Sequence, residues 1–143
     1  MADKRQALRN LEHALGELES YAALPIVHNR DKAGLIQAFE FTFEIFWKTF
    51  QKLAPDAGLE AASPREALQA GAKLRLIAAD EIDDWLQMLQ DRNLTSHTYN
   101  VVVADEILAR LLARYLPRFR ATHARLGRAM SGAAGAPPTS GSV

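Results

Sequence analysis

Between Lys32 and Leu53 apolar side chains recur at helical spacing so densely that the segment belongs at the centre of a helical bundle. Leu35, Phe39, Phe43, Phe46, Phe50 and Leu53 share one broad face, and Phe41, Ile45 and Trp47 widen it. A helix apolar on most of its sides needs other helices around it. The polar remainder is a strip of Glu40, Glu44 and Lys48 at four-residue steps. Pro55 and Gly58 close the segment, and Asp31 is expected to cap its start.

The rest of the chain supplies those neighbours. Leu8, Leu11, Leu15, Leu18 and Ala22 alternate by three and four, which predicts a first helix over about Asp3 to Ala22. In Ser63-Pro64-Arg65-Glu66 a serine cap, a proline at the first helical position and a glutamate at the third open a short helix ending near Gly71. A fourth helix starts at Asp80 and turns Ile82, Trp85, Leu86 and Leu89 inward. It is expected to fray or break between Arg92 and Asn100, where Asn, Thr and Ser cluster. The last helix covers about Val101 to Tyr115, with Ile107, Leu108, Leu111, Leu112 and Tyr115 as its apolar face. It is expected to continue towards Arg128 with a kink at Pro117.

No two-residue alternation is sustained anywhere, which argues against strands. The expectation is an all-α, antiparallel up-and-down bundle of four to five helices. Residues 1–128 form this domain, and 129–143, rich in Gly, Ala, Pro and Ser, are expected to be a disordered tail.

Composition narrows the chemistry. Seventeen Lys and Arg balance seventeen Asp and Glu, which argues against non-specific coating of duplex DNA. There is no cysteine, which removes disulfides, thiol catalysis and cysteine-based metal sites, and fits a cytoplasmic protein. The charged start and the lack of a long apolar run predict neither a signal peptide nor a membrane span. His13, His28, His97 and His123 show no metal-ligand spacing, so neither metal nor cofactor is expected.

The segment Asp91 to Asn100 carries the densest functional chemistry. Arg92 is a permanent cation with forked donors suited to phosphate. His97 can move a proton near neutral pH. Together they suffice for metal-free cleavage of RNA, in which the 2′-OH attacks, His transfers a proton and Arg stabilises the charged transition state. In an unbroken helix the two would stand about 140° apart around the axis, so their convergence calls for a turn. The plainer alternative is that these groups cap carbonyls or pair with Asp91 or Glu106.

Arg92, four residues, His97, one residue and Tyr99 match the R-x4-6-H-x-Y pattern of the HEPN superfamily. The stretches Arg30-Asp31, Ile36 to Thr49, Ser63 to Glu66 and Trp85 to Tyr99 resemble one of its branches, the nucleotidyltransferase substrate-binding protein family. That branch is similar to the toxins of minimal-nucleotidyltransferase/HEPN toxin–antitoxin pairs, and the resemblance covers about Leu8 to Tyr115. It implies a homodimer bringing two motif copies to one cleft. It implies a metal-independent ribonuclease using Arg92 and His97, and a small nucleotidyltransferase partner that transfers AMP to Tyr99. An added phosphate beside Arg92 would occupy the anion site and block RNA. The older family name implies instead a non-catalytic subunit presenting a nucleotide or other substrate. Asp91, Asn93, Ser96, Glu40 and Glu44 are the supporting candidates around the motif. One departure is the run Val101-Val102-Val103 after Asn100, where the branch has acidic residues.

Beyond Glu106 no acidic residue occurs, while Arg110, Arg114, Arg118, Arg120, Arg125 and Arg128 follow. This stretch is either a steering surface for RNA or partner, or a solvated helix face with favourable charge at its end. No Gly-rich phosphate loop appears, so the chain is expected to be the partner of a nucleotidyltransferase and not the transferase itself.

Overall fold

The computed structural model describes residues 2–97 and 100–133, with side chains described within 4–95 and 100–131. Six α-helices follow in order: α1 (Ala2–Ala22), α2 (Asn29–Leu53), α3 (Pro64–Lys73), α4 (Ile82–His97), α5 (Val101–Arg110) and α6 (Leu116–Ala133). Short 3-10 turns cover Ala54–Ala57 and Ala79–Glu81, and a π-helical segment, Leu111–Tyr115, joins α5 to α6. With that continuous rod taken as one, this is the expected five-helix all-α bundle, and no strand occurs among the described residues. No described helix is long and apolar enough to cross a membrane.

Cross-links fix the helix directions. Glu44 meets Arg92 and Glu40 meets Thr95, so α2 and α4 run antiparallel. Asp91 pairs with Arg110 and Asp84 with Arg114, so α4 opposes the α5–α6 rod. Glu19 meets Arg120 and Glu12 meets His123, which sets α1 antiparallel to α6.

The aromatic side of α2 makes the core. Phe39, Phe43, Phe46 and Phe50 are fully buried together with Trp85 of α4 and Tyr115 and Phe119 of the rod. Phe46 stacks on Phe119 at 5.0 Å and meets Trp85 edge-on at 5.2 Å, an arrangement that suits the aromatic quadrupoles. The indole N–H of Trp85 has no acceptor among the described residues. Buried Thr42 and Thr49 donate to carbonyls one turn back, Ala38 at 2.8 Å and Ile45 at 2.7 Å, so they bring no unsatisfied hydroxyl into this core. Phe41 falls outside it and is 57% exposed.

Local chemistry sets the helix ends. Asp31 is not the cap of α2. The chain turns earlier, at His28, and Asp31 sits at the third helical position, where its carboxylate accepts from the backbone N–H of His28 at 2.8 Å and of Val27 at 3.0 Å. Those bonds, His28 first, hold its carboxyl below the ordinary aspartate range. At α3, Ser63 Oγ accepts from the Glu66 N–H at 3.2 Å, and the Glu66 carboxylate accepts from the Ala62 N–H at 2.9 Å. The helix closes in a Schellman motif, with Leu76 N–H to the Gly71 carbonyl at 2.9 Å and Arg75 N–H to that of Ala72 at 3.0 Å. Arg75 occupies the left-handed position, at φ 61°, where glycine is usual.

A π segment, Leu111–Tyr115, directly precedes the turn that holds Pro117, where the kink is expected. Leu116 N–H bonds back to the Leu111 carbonyl, five residues away, which widens the turn before the proline. The wider winding suits the buried four-residue steps Ile107, Leu111, Tyr115 and Phe119. Leu112, expected on that face, stands one residue round from Leu111 and is 42% exposed. The rod continues to Ala133, past residue 128.

Candidate functional site

The last two turns of α4 present two adjacent residues to opposite surroundings. Asp91 is fully buried, and its oxygens accept from Arg110 Nε at 2.9 Å, Arg110 Nη2 at 2.8 Å and the Tyr115 hydroxyl at 2.5 Å. Gln87 adds a bond at 3.3 Å. The pair with Asp91 pushes the Arg110 pKa up. Burial, then the bond to Asp91, raises that of the Tyr115 phenol. Asp91 therefore anchors α4 to the rod and does not line an open surface.

Arg92 turns the other way, towards α2. Its Nε stands 3.7 Å from Glu44 Oε1, and its side chain is 32% exposed. Glu44 also lies 3.7 Å from Lys48, the neighbour expected of it one turn along. One turn on, the Thr95 hydroxyl lies against the Glu40 carboxylate and 2.9 Å from the Arg92 carbonyl. Its single proton serves one acceptor at a time. Glu40, Glu44, Arg92 and Thr95 thus form one polar seam between α2 and α4, and Thr95 is the member that the sequence alone does not single out. Its position three residues beyond Arg92 on a helix is the available signal.

The helix does not break directly after Arg92. It runs through His97, so both motif positions lie on one continuous α4, about 140° apart around its axis. α4 ends at His97 and α5 starts at Val101, after Asn100, so the helix ends between Arg92 and Asn100, where a break is expected. Asn100 caps α5, its Oδ1 accepting from Val102 N–H at 2.9 Å and Val103 N–H at 3.2 Å. The side chains of Ser96 and His97, and the whole of Tyr99, lie outside what is described. Asn93 is exposed. Of the valine run, Val101 and Val102 are exposed and Val103 packs on the core. A cleft of about 230 Å3 opens beside the seam, lined by Ile36, Gln37, Glu40, Thr95, Asn100 and Val103 among others.

Four arginines of the basic stretch, Arg110, Arg114, Arg118 and Arg125, pair with buried carboxylates, while Arg120 and Arg128 are exposed. Arg114 and Arg118 both donate to Asp84, at 3.0 Å and 2.8 Å through their Nε atoms. Arg125 forks onto Glu81 at 2.6 Å and 3.0 Å. With Arg110 on Asp91, these arginines form a ladder that zips the rod to α4 and to the 3-10 turn before it. The Arg125 bond holds the Glu81 carboxyl below the ordinary glutamate range. For Asp84, burial pulls upward but the bonds from Arg114 and Arg118 outweigh it and leave its pKa lowered. The partners lie 19 to 44 residues apart, beyond the reach of any local pattern.

Among the described residues no group of three or more His, Asp or Glu side chains could hold a metal ion. The seam can offer a partly exposed guanidinium, carboxylate acceptors and a hydroxyl beside a helix end.

Residues 5–128 match the family described as nucleotidyltransferase substrate binding protein like. The chain belongs to that family. A crystal structure of a Thermus thermophilus protein is similar to this member at 37% identity, with 81% of this chain and 98% of that one covered and a TM-score of 0.73. No curated protein matches.

Proposed function

We propose that this family member works in the cytoplasm as a homodimeric partner of a small nucleotidyltransferase and cleaves RNA without a metal. The supporting observation is the contrast between Arg92 and the ladder arginines. Arg110, Arg114, Arg118 and Arg125 each donate close hydrogen bonds to buried carboxylates. Arg92 stands 3.7 Å from Glu44 and about a third exposed, so its charge is available to a phosphate.

In this reading the dimer cleft, holding two motif copies, brings a His97 to the phosphate that an Arg92 holds, since the two stand about 140° apart on one α4. The ribose 2′-OH attacks the adjacent phosphorus and loses its proton to His97. The 5′-oxygen leaves and takes up a proton, giving a 2′,3′-cyclic phosphate and a 5′-hydroxyl. Arg92 stabilises the charge gathered on the phosphoryl oxygens. Tyr99 receives AMP from the nucleotidyltransferase, and the added phosphate blocks Arg92. Asn93 and Ser96 are the remaining supporting candidates around the motif.

The test is incubation of the purified chain with total RNA in EDTA, with analysis of the new ends. Cyclic-phosphate ends from the wild type, lost in Arg92→Ala and His97→Ala, are expected. Undiminished cleavage by both variants would sink the assignment. The family description favours a second reading, a non-catalytic subunit that binds nucleotide for the transferase. It predicts a stable complex with the transferase and intact RNA.

A further inference from the structure

The cleft beside the polar seam has a chemistry that the cleavage step does not use. It lies between the first half of α2 and the α4–α5 junction, and its volume is about 230 Å3. That is below the roughly 300–1,000 Å3 usual for a drug-sized ligand, so it suits a single planar ring system. Ile36, Val103 and Ala104 make an apolar lining, with Ala33 also at the cleft. Glu40 offers a carboxylate that lies against the Thr95 hydroxyl. Gln37, one turn before Glu40, is exposed and makes no side-chain hydrogen bond among the described residues. Thr95 and Asn100, which bracket His97 in sequence, both line the cleft.

We infer that this cleft holds an unpaired guanine base of the RNA, read by Glu40 and Gln37. An ionised carboxylate only accepts hydrogen bonds. Guanine is the base whose pairing edge carries two adjacent donors, N1–H and N2–H2, that match it. Adenine and cytosine place an acceptor beside their single amino group, and uracil flanks one N–H with two carbonyls, so each sets an acceptor against the carboxylate. The Gln37 amide can donate to guanine O6. Single-stranded RNA is commonly read in this way, on the pairing edges of splayed bases. The inference rests on the reading of this site as one that binds RNA, and it adds a sequence preference.

The test titrates 5′-GMP, AMP, CMP and UMP separately into the full chain and follows backbone amide NMR signals of Gln37, Glu40 and Val103. GMP is expected to bind at least about tenfold more tightly than the others, a difference of about 1.4 kcal/mol. Glu40→Gln, which presents a donor where an acceptor is needed, and Ala33→Leu, which fills the cleft, should each remove the preference while the amide spectrum stays folded. Equal shifts from all four nucleotides, no shift from GMP, or an unchanged preference in both variants would overturn the inference. Binding does not depend on cleavage. RNA cleavage without GMP selectivity would remove this inference and leave the ribonuclease reading, and GMP selectivity with intact RNA would do the reverse.

Discussion

Arg110 grips both oxygens of Asp91 through its Nε and Nη2, at 2.9 Å and 2.8 Å, and so ties the last turns of α4 to the rod that follows it. Asp91 is fully buried, while Arg110 remains partly in contact with water. Removing either partner strands charge, and the carboxylate is the worse one to strand. Arg110→Ala is expected to cost about 3 kcal/mol and Asp91→Ala about 2–3 kcal/mol, measured by urea unfolding. A loss below about 0.5 kcal/mol for both would show that the pair does not hold the bundle.

Arg92, the next residue, should behave differently. Its contact with Glu44 is long and half-solvated, the kind of pair that contributes little. Arg92→Ala should stay within about 0.5 kcal/mol of wild type in urea while RNA cleavage is lost. Destabilisation comparable to that of Arg110→Ala would make Arg92 a structural residue.

Acid should loosen the α4–rod contact. Glu81 and Asp84 both have lowered pKa values in the folded chain. The unfolded chain therefore binds more protons as pH falls, and folding loses their contribution. Their stabilisation is complete above the ordinary carboxyl range, 4.5 for Glu and 3.8 for Asp, and disappears as pH drops through the lowered folded values. Thermal melting should fall on the acid side of that range, and less steeply in Glu81→Gln. Equal slopes for wild type and variant would contradict the assignment.

Arg75 closes α3 in a conformation costly for a side chain. Arg75→Gly should raise stability by about 1 kcal/mol, read as a higher melting temperature. A lower melting temperature would mean that the arginine makes a contact worth more than its backbone strain.

The helices and their order were legible because apolar periodicity and capping are local signals. Ser63, Pro64 and Glu66 marked the start of α3 unaided. Asp31 stands at the third helical position and not at the expected cap, because a carboxylate at either place leaves the same trace in sequence. The rod arginines were visible but their destinations were not, since Glu81, Asp84 and Asp91 reach them only after the chain folds back. The π segment left only Pro117 as its hint. At the candidate site the motif residues were readable, whereas the seam joining Glu40 to Thr95 depends on how α2 and α4 cross.

The most direct measurement compares matched RNA and DNA oligonucleotides incubated with the chain in EDTA. Attack by the 2′-OH requires the hydroxyl that DNA lacks. The account predicts that wild type cuts the RNA, leaves the DNA intact, and loses RNA cleavage in Arg92→Ala and His97→Ala. RNA left intact by the wild type, or DNA cut as fast as RNA, would contradict it.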